Sequence, residues 1–282
     1  MSQQLRQLKT RIRSIEGTWK VTRAMEMVSM SKFKALETPL KRGRAYFDKV
    51  RSIFMNVAGS DTTVKNDFMV KRNGPLALFV ISADTGLCGV YNYQLIRAAE
   101  RFIEQNPGRE IRIYVYGRKG AGHFRKKGLA ITRAFAGVHG RLPVDFHRKM
   151  FEQMLADFKE HKVAEVHVAY TVFENAMKHH PKVVKFLNLD RPQVSNSNFI
   201  LESGRDGMLA ELVPLYLESW FRLMLLESFT SEYSARMVAM KSSKENAKEL
   251  MGDLVLLRNK VRQAAITKEV IEIISSVEAL KG

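Results

Sequence analysis

The carboxyl-terminal quarter of the chain carries a long apolar repeat. From Leu215 onward there is no proline, and apolar residues recur at alternating steps of four and three. Such spacing places them along one side of a continuous helix, as in the seam of a coiled coil. The pattern predicts one helix of about 68 residues, roughly 100 Å long. The seam residues are Tyr216, Trp220, Leu223, Tyr233, Met237, Met240, Leu250, Leu254, Leu257, Val261, Ile266, Val270, Ile273, Val277 and Leu280.

A seam of this length needs a partner helix, and the opposite end of the chain can supply one. The only other long stretch with helical composition runs from about Gln3 to Ala58. We therefore predict that residues 1–58 and 206–282 wind together as a rod. The first helix contains Met25, Met27 and Met30. Methionines at this spacing form either a flexible core or an adaptable contact surface.

The middle of the chain, residues 75–190, alternates between strand and helix patterns. A continuous apolar run, PLALFVIS, is typical of a buried strand, and a glycine turn and a helical pattern follow it. The last two strands are joined by a short polar turn, which indicates an antiparallel hairpin. The fold class is therefore α/β, with a small Rossmann-like domain that is mostly parallel and has a hairpin at one edge. The predicted strands are 75–82, 109–117, 129–135, 164–173 and 182–189, and the predicted helices are 91–104 and 144–161.

The chain is strongly basic, with a formal net charge of +17. Residues 1–58 and residues 59–205 each contribute +9, whereas residues 206–282 contribute −1. The basic surface therefore belongs to the first helix and the middle domain. Such a surface suits either nucleic acid, whose counterions Lys and Arg displace, or an acidic protein.

Composition also restricts where the protein works. The single cysteine excludes a disulfide framework, and no run of eighteen apolar residues is present. The basic amino terminus lacks the apolar core of a secretory signal, and its amphipathic pattern continues into the helix instead of ending as a transit peptide would. We expect a soluble, intracellular protein.

Two glycine-rich segments resemble phosphate loops but lack the required spacing. The turn of residues 84–89 follows a strand, and residues 117–122 combine glycine with Arg118 and Lys119. Neither contains GxGxxG or GK[ST], so we interpret the first as a tight packing turn and the second as a solvated basic loop. A Rossmann-like nucleotide enzyme remains an alternative that would need such a loop.

The remaining reactive side chains do not assemble into a catalytic site. His179 and His180 have no carboxylate or cysteine at ligand spacing, so we predict no metal site. Cys88 has no paired thiol and is expected to be a small buried side chain, not a nucleophile. We expect no catalytic residue and no bound cofactor.

Three separate blocks of sequence resemble the γ subunit of F-type ATP synthases. Residues 18–32 (TWKVTRAMEMVSMSK) resemble its amino-terminal signature, and residues 82–92 (SADTGLCGVYN) resemble SxDRGLCGGxN. Residues 235–241 (ARMVAMK) and 262–269 (RQAAITKE) resemble its carboxyl-terminal signature. Thr85 and Val90 depart from the usual Arg and Gly. The motifs span the whole chain.

The resemblance implies a fold and a function. The fold would be a long antiparallel coiled coil of the two terminal helices with the α/β domain inserted between them. The chain would be the central-stalk rotor that couples ion flow to ATP synthesis or hydrolysis in a ring of α and β subunits. It would have no catalytic site of its own. It would also meet the ε subunit and the c-subunit ring, at the cytoplasmic face of the bacterial inner membrane.

The resemblance also implies site residues. Contacts with the ring would be made by Met25, Arg236, Gln263, Thr267 and Glu269. The signature turn would contain Asp84, Gly86, Cys88 and Gly89. A basic rotor that faces acidic loops would account for the charge without nucleic acid. The alternative function is a basic coiled-coil nucleic-acid-binding or scaffold protein, which explains the charge and the rod but not the three motifs.

Overall fold

The computed structural model of the chain describes residues 3–59, 66–138, 144–190 and 205–279. Two long helices bracket an α/β sequence of shorter elements, as the apolar pattern predicts. In chain order the elements are α1 (Gln3–Gly59), a 3₁₀ turn (Asp67–Met69), β1 (Leu76–Ile81), α2 (Tyr91–Glu104), β2 (Ile111–Tyr116), α3 (Arg118–Lys126), β3 (Ile131–Phe135), α4 (Val144–Lys159), β4 (Glu165–Phe173), β5 (His179–Leu187) and α5 (Arg205–Ala279).

Helix α5 begins at Arg205, one residue from the predicted boundary of the carboxyl-terminal rod segment at 206. Pro214, after which the apolar repeat begins, lies inside the helix. An interior proline costs about 3 kcal/mol because it removes a helical hydrogen bond. Burial of the flanking residues Leu212, Val213 and Leu217 offsets this cost. The linker predicted over residues 190–205 lies almost entirely outside the described residues.

The five strands form one sheet in the order β3-β2-β1-β4-β5. The pairs β1–β2, β1–β4 and β2–β3 are parallel, and β4–β5 is an antiparallel hairpin at the edge. This arrangement confirms the predicted mostly parallel sheet. Every residue of β1 is buried, because helices cover both faces of a parallel sheet.

Alternate residues of the strands enter two separate cores. Phe79 and Ile81 of β1 pack with residues of α1, α4 and α5 on one face. Leu78 and Val80 face the other way and pack with Leu95 of α2 and other residues of α2 and α3. Successive side chains of a strand point to opposite faces, so one apolar run supplies both cores.

The chain divides into two compact units. One comprises Met1–Val28 with Met237–Gly282, and the other comprises Ser29–Arg236. The division falls within α1 and α5, whereas the predicted domain boundaries lie at 58, 75, 190 and 206. Each unit thus contains a segment of both long helices.

Within the unit Ser29–Arg236, α1 and α5 run in opposite directions. Arg44 pairs with Glu227 at 2.7 Å, the rings of Phe47 and Trp220 lie 6.1 Å apart, and those of Phe54 and Tyr216 lie 4.4 Å apart. Partners on α5 therefore move toward the amino terminus as α1 advances. This order is that of an antiparallel helix pair.

In the unit Met1–Val28 with Met237–Gly282, Lys244 of α5 forms an ion pair with Glu26 of α1 at 2.6 Å. The antiparallel direction places residue 3, 23 residues before Glu26, level with about residue 267, 23 residues after Lys244. Helix α1 therefore begins, at Gln3, beside this point of α5, and α5 continues beyond it to Ala279.

Burial along the predicted seam is uneven, because Leu250 and Leu257 are exposed although α1 lies alongside. Met240 and Leu254 are buried, and so is Ala247 midway between them, which the sequence pattern does not include. Beyond residue 265 the predicted seam is wrong as a description of the isolated chain, because its described members are exposed. They are Ile266, Val270, Ile273 and Val277.

Candidate functional site

The signature turn, residues 84–89, begins where β1 ends and is held by the side chain of Asp84. This carboxylate accepts hydrogen bonds from the backbone N–H groups of Gly137 at 2.8 Å and Arg118 at 3.3 Å. It also accepts one from the hydroxyl of Tyr116 at 3.3 Å. Asp84 is only 5% exposed. Its carboxylate thus joins the loops after three neighbouring strands.

The centre of the turn has an unusual backbone that leaves one apolar side chain outside. Leu87 and Gly89 have φ angles of 63° and 55°, in the left-handed region that most side chains disfavour. Leu87 is 56% exposed, whereas Cys88 is 2% exposed and packs against Ala83 and Tyr91. Burial raises the pKa of the Cys88 thiol. A buried, protonated thiol agrees with the predicted packing role.

Arg236 of α5 ties this turn to the long helix. Its guanidinium donates to the carbonyl oxygens of Gly86 and Thr85, each at 3.1 Å. It also pairs with Glu232, one helical turn earlier, at 2.7 Å. Arg236 is 3% exposed. Burial raises the pKa of Glu232 to about 7, although the charge of Arg236 acts to lower it. We call Glu232, Arg236 and these two carbonyls the clamp.

A run of small polar residues seats α5 against the carboxyl ends of β1 and β4. The backbone N–H of Thr171 donates to Ser228 Oγ at 3.3 Å, and Ser234 Oγ donates to the carbonyl of Ala176 at 2.6 Å. The Tyr91 hydroxyl donates to the carbonyl of Ser228 at 3.1 Å. Ser228 and Ser234 are fully buried.

This seat is where a doubly wound domain would bind a nucleotide. Strands β1 and β4 are neighbours, but the chain from β1 proceeds first to β2 and β3 on the other side. Ligands of such folds bind in the crevice beyond the strand ends at this switch point. Here α5 fills the crevice. The geometry therefore argues against the nucleotide-enzyme alternative.

The basic glycine segment after β2 forms helix α3, so the prediction of a solvated basic loop is wrong. Gly117 has a φ of 96°, and a Cβ there would lie 2.4 Å from the Ser82 carbonyl oxygen. A Cβ at Gly120 would lie 2.5 Å from Ser82 Oγ. These glycines are explained by close packing between the start of α3 and the end of β1.

The remaining predicted contact residues lie on the long helices. Met25 is partly exposed on α1, whereas Gln263, Thr267 and Glu269 are exposed on α5. Thr267 donates its hydroxyl to the Gln263 carbonyl at 3.0 Å. The structure brings Arg236 to the signature turn but does not test contacts with other subunits, so all five assignments stay predictions.

Sequence reasoning did not identify the roles of Glu232 and of the buried serines Ser228 and Ser234. The available signal is the segment SFTSEYSAR, residues 228–236, which places polar side chains on every side of a predicted helix. On its own such a pattern is typical of a solvated helix, so it does not predict the burial that these side chains have in the structure. Among the described residues, no group of three or more His, Cys, Asp or Glu is arranged to hold a metal. None of the described helices is long and apolar enough to cross a membrane.

Comparison with known proteins assigns the chain to a family. A family model described as ATP synthase matches residues 4–280. The ATP synthase gamma chain of Solibacter usitatus is 34% identical over 281 residues, covering 96% of this chain and 97% of the relative. The chain belongs to the ATP synthase gamma chain family. The family member from Chloroflexus aurantiacus is also 34% identical, over 284 residues and 98% of each chain.

Solved structures agree on the fold of this family member. A chain in the OSCP/F1/c-ring structure of Euglena gracilis mitochondrial ATP synthase has a TM-score of 0.71 at 18% identity, covering 98% of this chain and 94% of that one. A chain of the Tetrahymena thermophila central stalk and c-ring has a TM-score of 0.60 at 23% identity, covering 79% and 98%. The family resemblance seen in the motifs is confirmed, and the nucleic-acid-binding or scaffold alternative is not supported.

Proposed function

We propose that this chain is the rotor of the central stalk in an F-type ATP synthase. The observation that carries the proposal is the apolar end of α5, where six aliphatic side chains are between 47% and 63% exposed. Patches of this kind mark surfaces that another protein covers. The six residues are Ile266, Val270, Ile271, Ile273, Ile274 and Val277.

The arrangement of side chains at this end of α5 suits a helix that turns within a ring of other subunits. With 3.6 residues per turn, five of the six side chains fall on one stripe, and Ile271 lies beside it. Lys268, Glu269 and Glu272 occupy the remaining sides and are exposed. One helix thus presents different chemistry in different directions. Within a ring of α and β subunits, each orientation of such a helix would contact each β subunit differently.

Differential contact is sufficient for coupling. A rotor that stabilises one conformation of a β subunit more than another shifts the equilibrium by the difference in contact free energy. ATP chemistry would belong to the ring, and this chain would be a non-catalytic subunit without a cofactor. Because α5 fills the crevice in which such a domain would bind a nucleotide, the structure supports the assignment of ATP chemistry to the ring and not to this chain. Met25, Arg236, Gln263, Thr267 and Glu269 would contribute to rotor contacts.

The other partners follow from the family. The α/β domain would meet the ε subunit and the c-subunit ring, and the complex would hold the chain at the cytoplasmic face of a bacterial inner membrane. The basic surface of α1 and of the α/β domain would face acidic loops of the β subunits. No nucleic acid is needed to account for the charge.

The first test is purification of the tagged chain from its source membranes. We expect α and β subunits and ATPase activity to accompany it. The double variant Val270→Asp with Ile274→Asp should lose the ring, because two charges would enter an apolar contact. The control Ser275→Asp adds a charge on the opposite side of the helix and should keep the ring.

Two results would overturn the proposal. One is a wild-type chain that purifies without α and β subunits. The other is a double variant that retains a fully coupled ring as well as the Ser275→Asp control does, because the apolar end would then have no role in the assembly.

A further inference from the structure

The guanidinium of Arg44 joins three elements within the unit Ser29–Arg236. From α1, its Nε and Nη2 donate to Oε1 of Glu227 on α5, at 3.0 and 2.7 Å. The same Nη2 also donates to the backbone carbonyl of Phe173, the last residue of β4. One side chain of α1 is therefore hydrogen-bonded both to the other long helix and to the sheet.

The carboxylate that Arg44 binds is withdrawn from water. The Glu227 side chain is 9% exposed, whereas that of Arg44 is 39% exposed. Hydrogen bonds between charged groups are shorter and stronger than those between neutral groups. A buried carboxylate also cannot lose its cationic partner without a large cost. Glu227 therefore holds the Arg44 guanidinium in one orientation.

Aromatic side chains make neighbouring contacts of α1 with β4 and α5. The ring centroids of Phe33 and Phe173 lie 5.7 Å apart, and those of Phe54 and Tyr216 lie 4.4 Å apart. Such contacts stabilise the packing, but the hydrophobic effect that drives them has no direction. Hydrogen bonds, in contrast, weaken steeply when their angles change. A small rotation of α1 about its own axis is therefore opposed more strongly at Arg44 than at these rings.

We propose that Arg44 is a positioning residue for torque transmission, which fixes the rotational position of α1 relative to α5 and the sheet. The proposal rests on the rotor function proposed above. In a rotor, the α/β domain and both long helices must turn in phase, because angular freedom at one helix stores part of the torque as elastic twist. Arg44 removes that freedom where α1 meets Glu227 and the Phe173 carbonyl.

A second arginine of the α/β domain has similar bonding at a different place. Arg109 pairs with Glu165 at 3.3 Å and donates to the backbone carbonyl of Gly74 at 3.1 Å. Its side chain is 37% exposed, close to the value for Arg44. These bonds join the start of β4 to the segment before β1, and neither acceptor belongs to α1 or α5. Arg109 and Glu165 therefore supply a matched control.

The test is the angular stiffness of the rotor in a complex whose α and β subunits are fixed to a surface. A probe at Arg125→Cys, an exposed position of α3, reports the angle of the α/β domain while a non-hydrolysable ATP analogue arrests rotation. The double variant Arg44→Met with Glu227→Leu is compared with the control Arg109→Met with Glu165→Leu. Apolar replacement of a whole buried ion pair is often neutral or stabilising, so the double variants separate orientation from stability.

The expected result is a looser rotor without a less stable chain. Without the directed bonds α1 populates further rotational positions, so the variance of the probe angle should rise by about twofold in Arg44→Met with Glu227→Leu. The midpoint of urea denaturation should stay near that of wild type, and the Arg109 control should leave the variance unchanged. Arg44→Lys keeps a positive charge beside Glu227 but lacks the planar fork of donors, so its variance should lie between those of wild type and the double variant.

Three outcomes would overturn the proposal. The first is a wild-type variance in the assembled double variant of Arg44 and Glu227, and the second is an equal rise in the Arg109 control. The third, which decides alone if the double variant does not assemble, is a wild-type variance in Arg44→Lys. A failure of the rotor proposal is distinguishable from all three, because the wild-type chain would then purify without α and β subunits.

Discussion

Two segments of α5 reverse the usual relation between polarity and burial, in opposite ways. In residues 228–236 polar side chains are buried, with Ser228, Ser231 and Ser234 at 0% exposure. In residues 266–277 apolar side chains are exposed, with Ile273 at 63%. The first segment finds its partners inside the chain, through hydrogen bonds to the turn and strands. The aliphatic side chains of the second are not buried by any of the described residues, and this is the part of the helix that another subunit would cover.

The contrast separates two requirements of one helix. A rotor helix must be fixed firmly to the domain that receives torque. It must also keep apolar side chains exposed where it transmits torque to other subunits. Buried hydrogen bonds give geometric specificity because an unpaired polar group in the interior is costly. Exposed aliphatic groups give contact without a fixed direction, because the hydrophobic effect is non-directional.

The largest expected effect is from Arg236→Ala at the clamp. The substitution leaves Glu232 buried without its partner and removes two hydrogen bonds to the signature turn. Breaking a buried pair costs about 3 kcal/mol or more in the free energy of unfolding. Urea denaturation of the purified chain at pH 8 measures this loss. The control Arg222→Ala, at an exposed position of the same helix, should change stability by less than about 0.5 kcal/mol.

The second prediction concerns the pH dependence of the same clamp. The pKa of Glu232 is raised from 4.5 to about 7, so the folded state binds this proton more tightly than the unfolded state. Its contribution to stability is complete below about pH 4.5 and is lost as the pH rises through about 7. Unfolding of wild type and Glu232→Gln at pH 5.5 and pH 8 should show a smaller pH dependence in the variant. An equal change in the free energy of unfolding between pH 5.5 and pH 8 in the two proteins would contradict the raised pKa of Glu232.

The third prediction separates the seat from the clamp. Tyr91→Phe removes the hydroxyl that donates to Ser228 at 3.1 Å and should cost about 1 kcal/mol. Tyr93→Phe, on the same helix but 67% exposed, is the matched control and should be neutral. A neutral Tyr91→Phe would mean that this bond does not help to hold α5 on the sheet.

The smallest effect on stability is expected at the other segment. Thr267→Ala and Gln263→Ala alter exposed residues, so each should change the free energy of unfolding by less than about 0.5 kcal/mol. We expect weaker coupling or assembly while ATP hydrolysis persists, since we predict that no single rotor contact is indispensable. Complete loss of hydrolysis in an assembled complex would contradict this prediction.

An element can be predicted from the sequence when the residues that determine it lie within the element itself, and not when they lie far away in the chain. Strand β1 follows from its own apolar run, and the sheet follows from the alternation of strands and helices. Helix α3 is not predicted from the sequence, because its two glycines, Gly120 and Gly122, and the preceding Gly117 weaken the helical signal. Gly117 and Gly120 are explained by contact with Ser82, about 35 residues earlier. The start of α5 at Arg205 lies one residue from the predicted boundary at 206, although Pro214 lies inside the helix; burial around Pro214 offsets the cost of the proline.

The clamp shows the limit of sequence reasoning about the site. Asp84, Gly86 and Cys88 are identifiable as a turn, and Arg236 as part of a motif, but their contact spans 150 residues. Periodicity alone gives the side of a helix on which Arg236 lies, not the loop that the side chain meets. The apolar repeat at the end of α5 is recognisable from the sequence, but periodicity alone does not give the exposure of its residues.

The most direct test of the central claim is rotation of this chain inside an immobilised complex. A probe attached at Arg125→Cys, on the outer helix α3, would report the orientation of the chain while the α and β subunits are fixed to a surface. The rotor account predicts rotation in one direction while ATP is hydrolysed and its arrest when ATP is withdrawn. An assembly that hydrolyses ATP while the probe keeps a fixed orientation would contradict it.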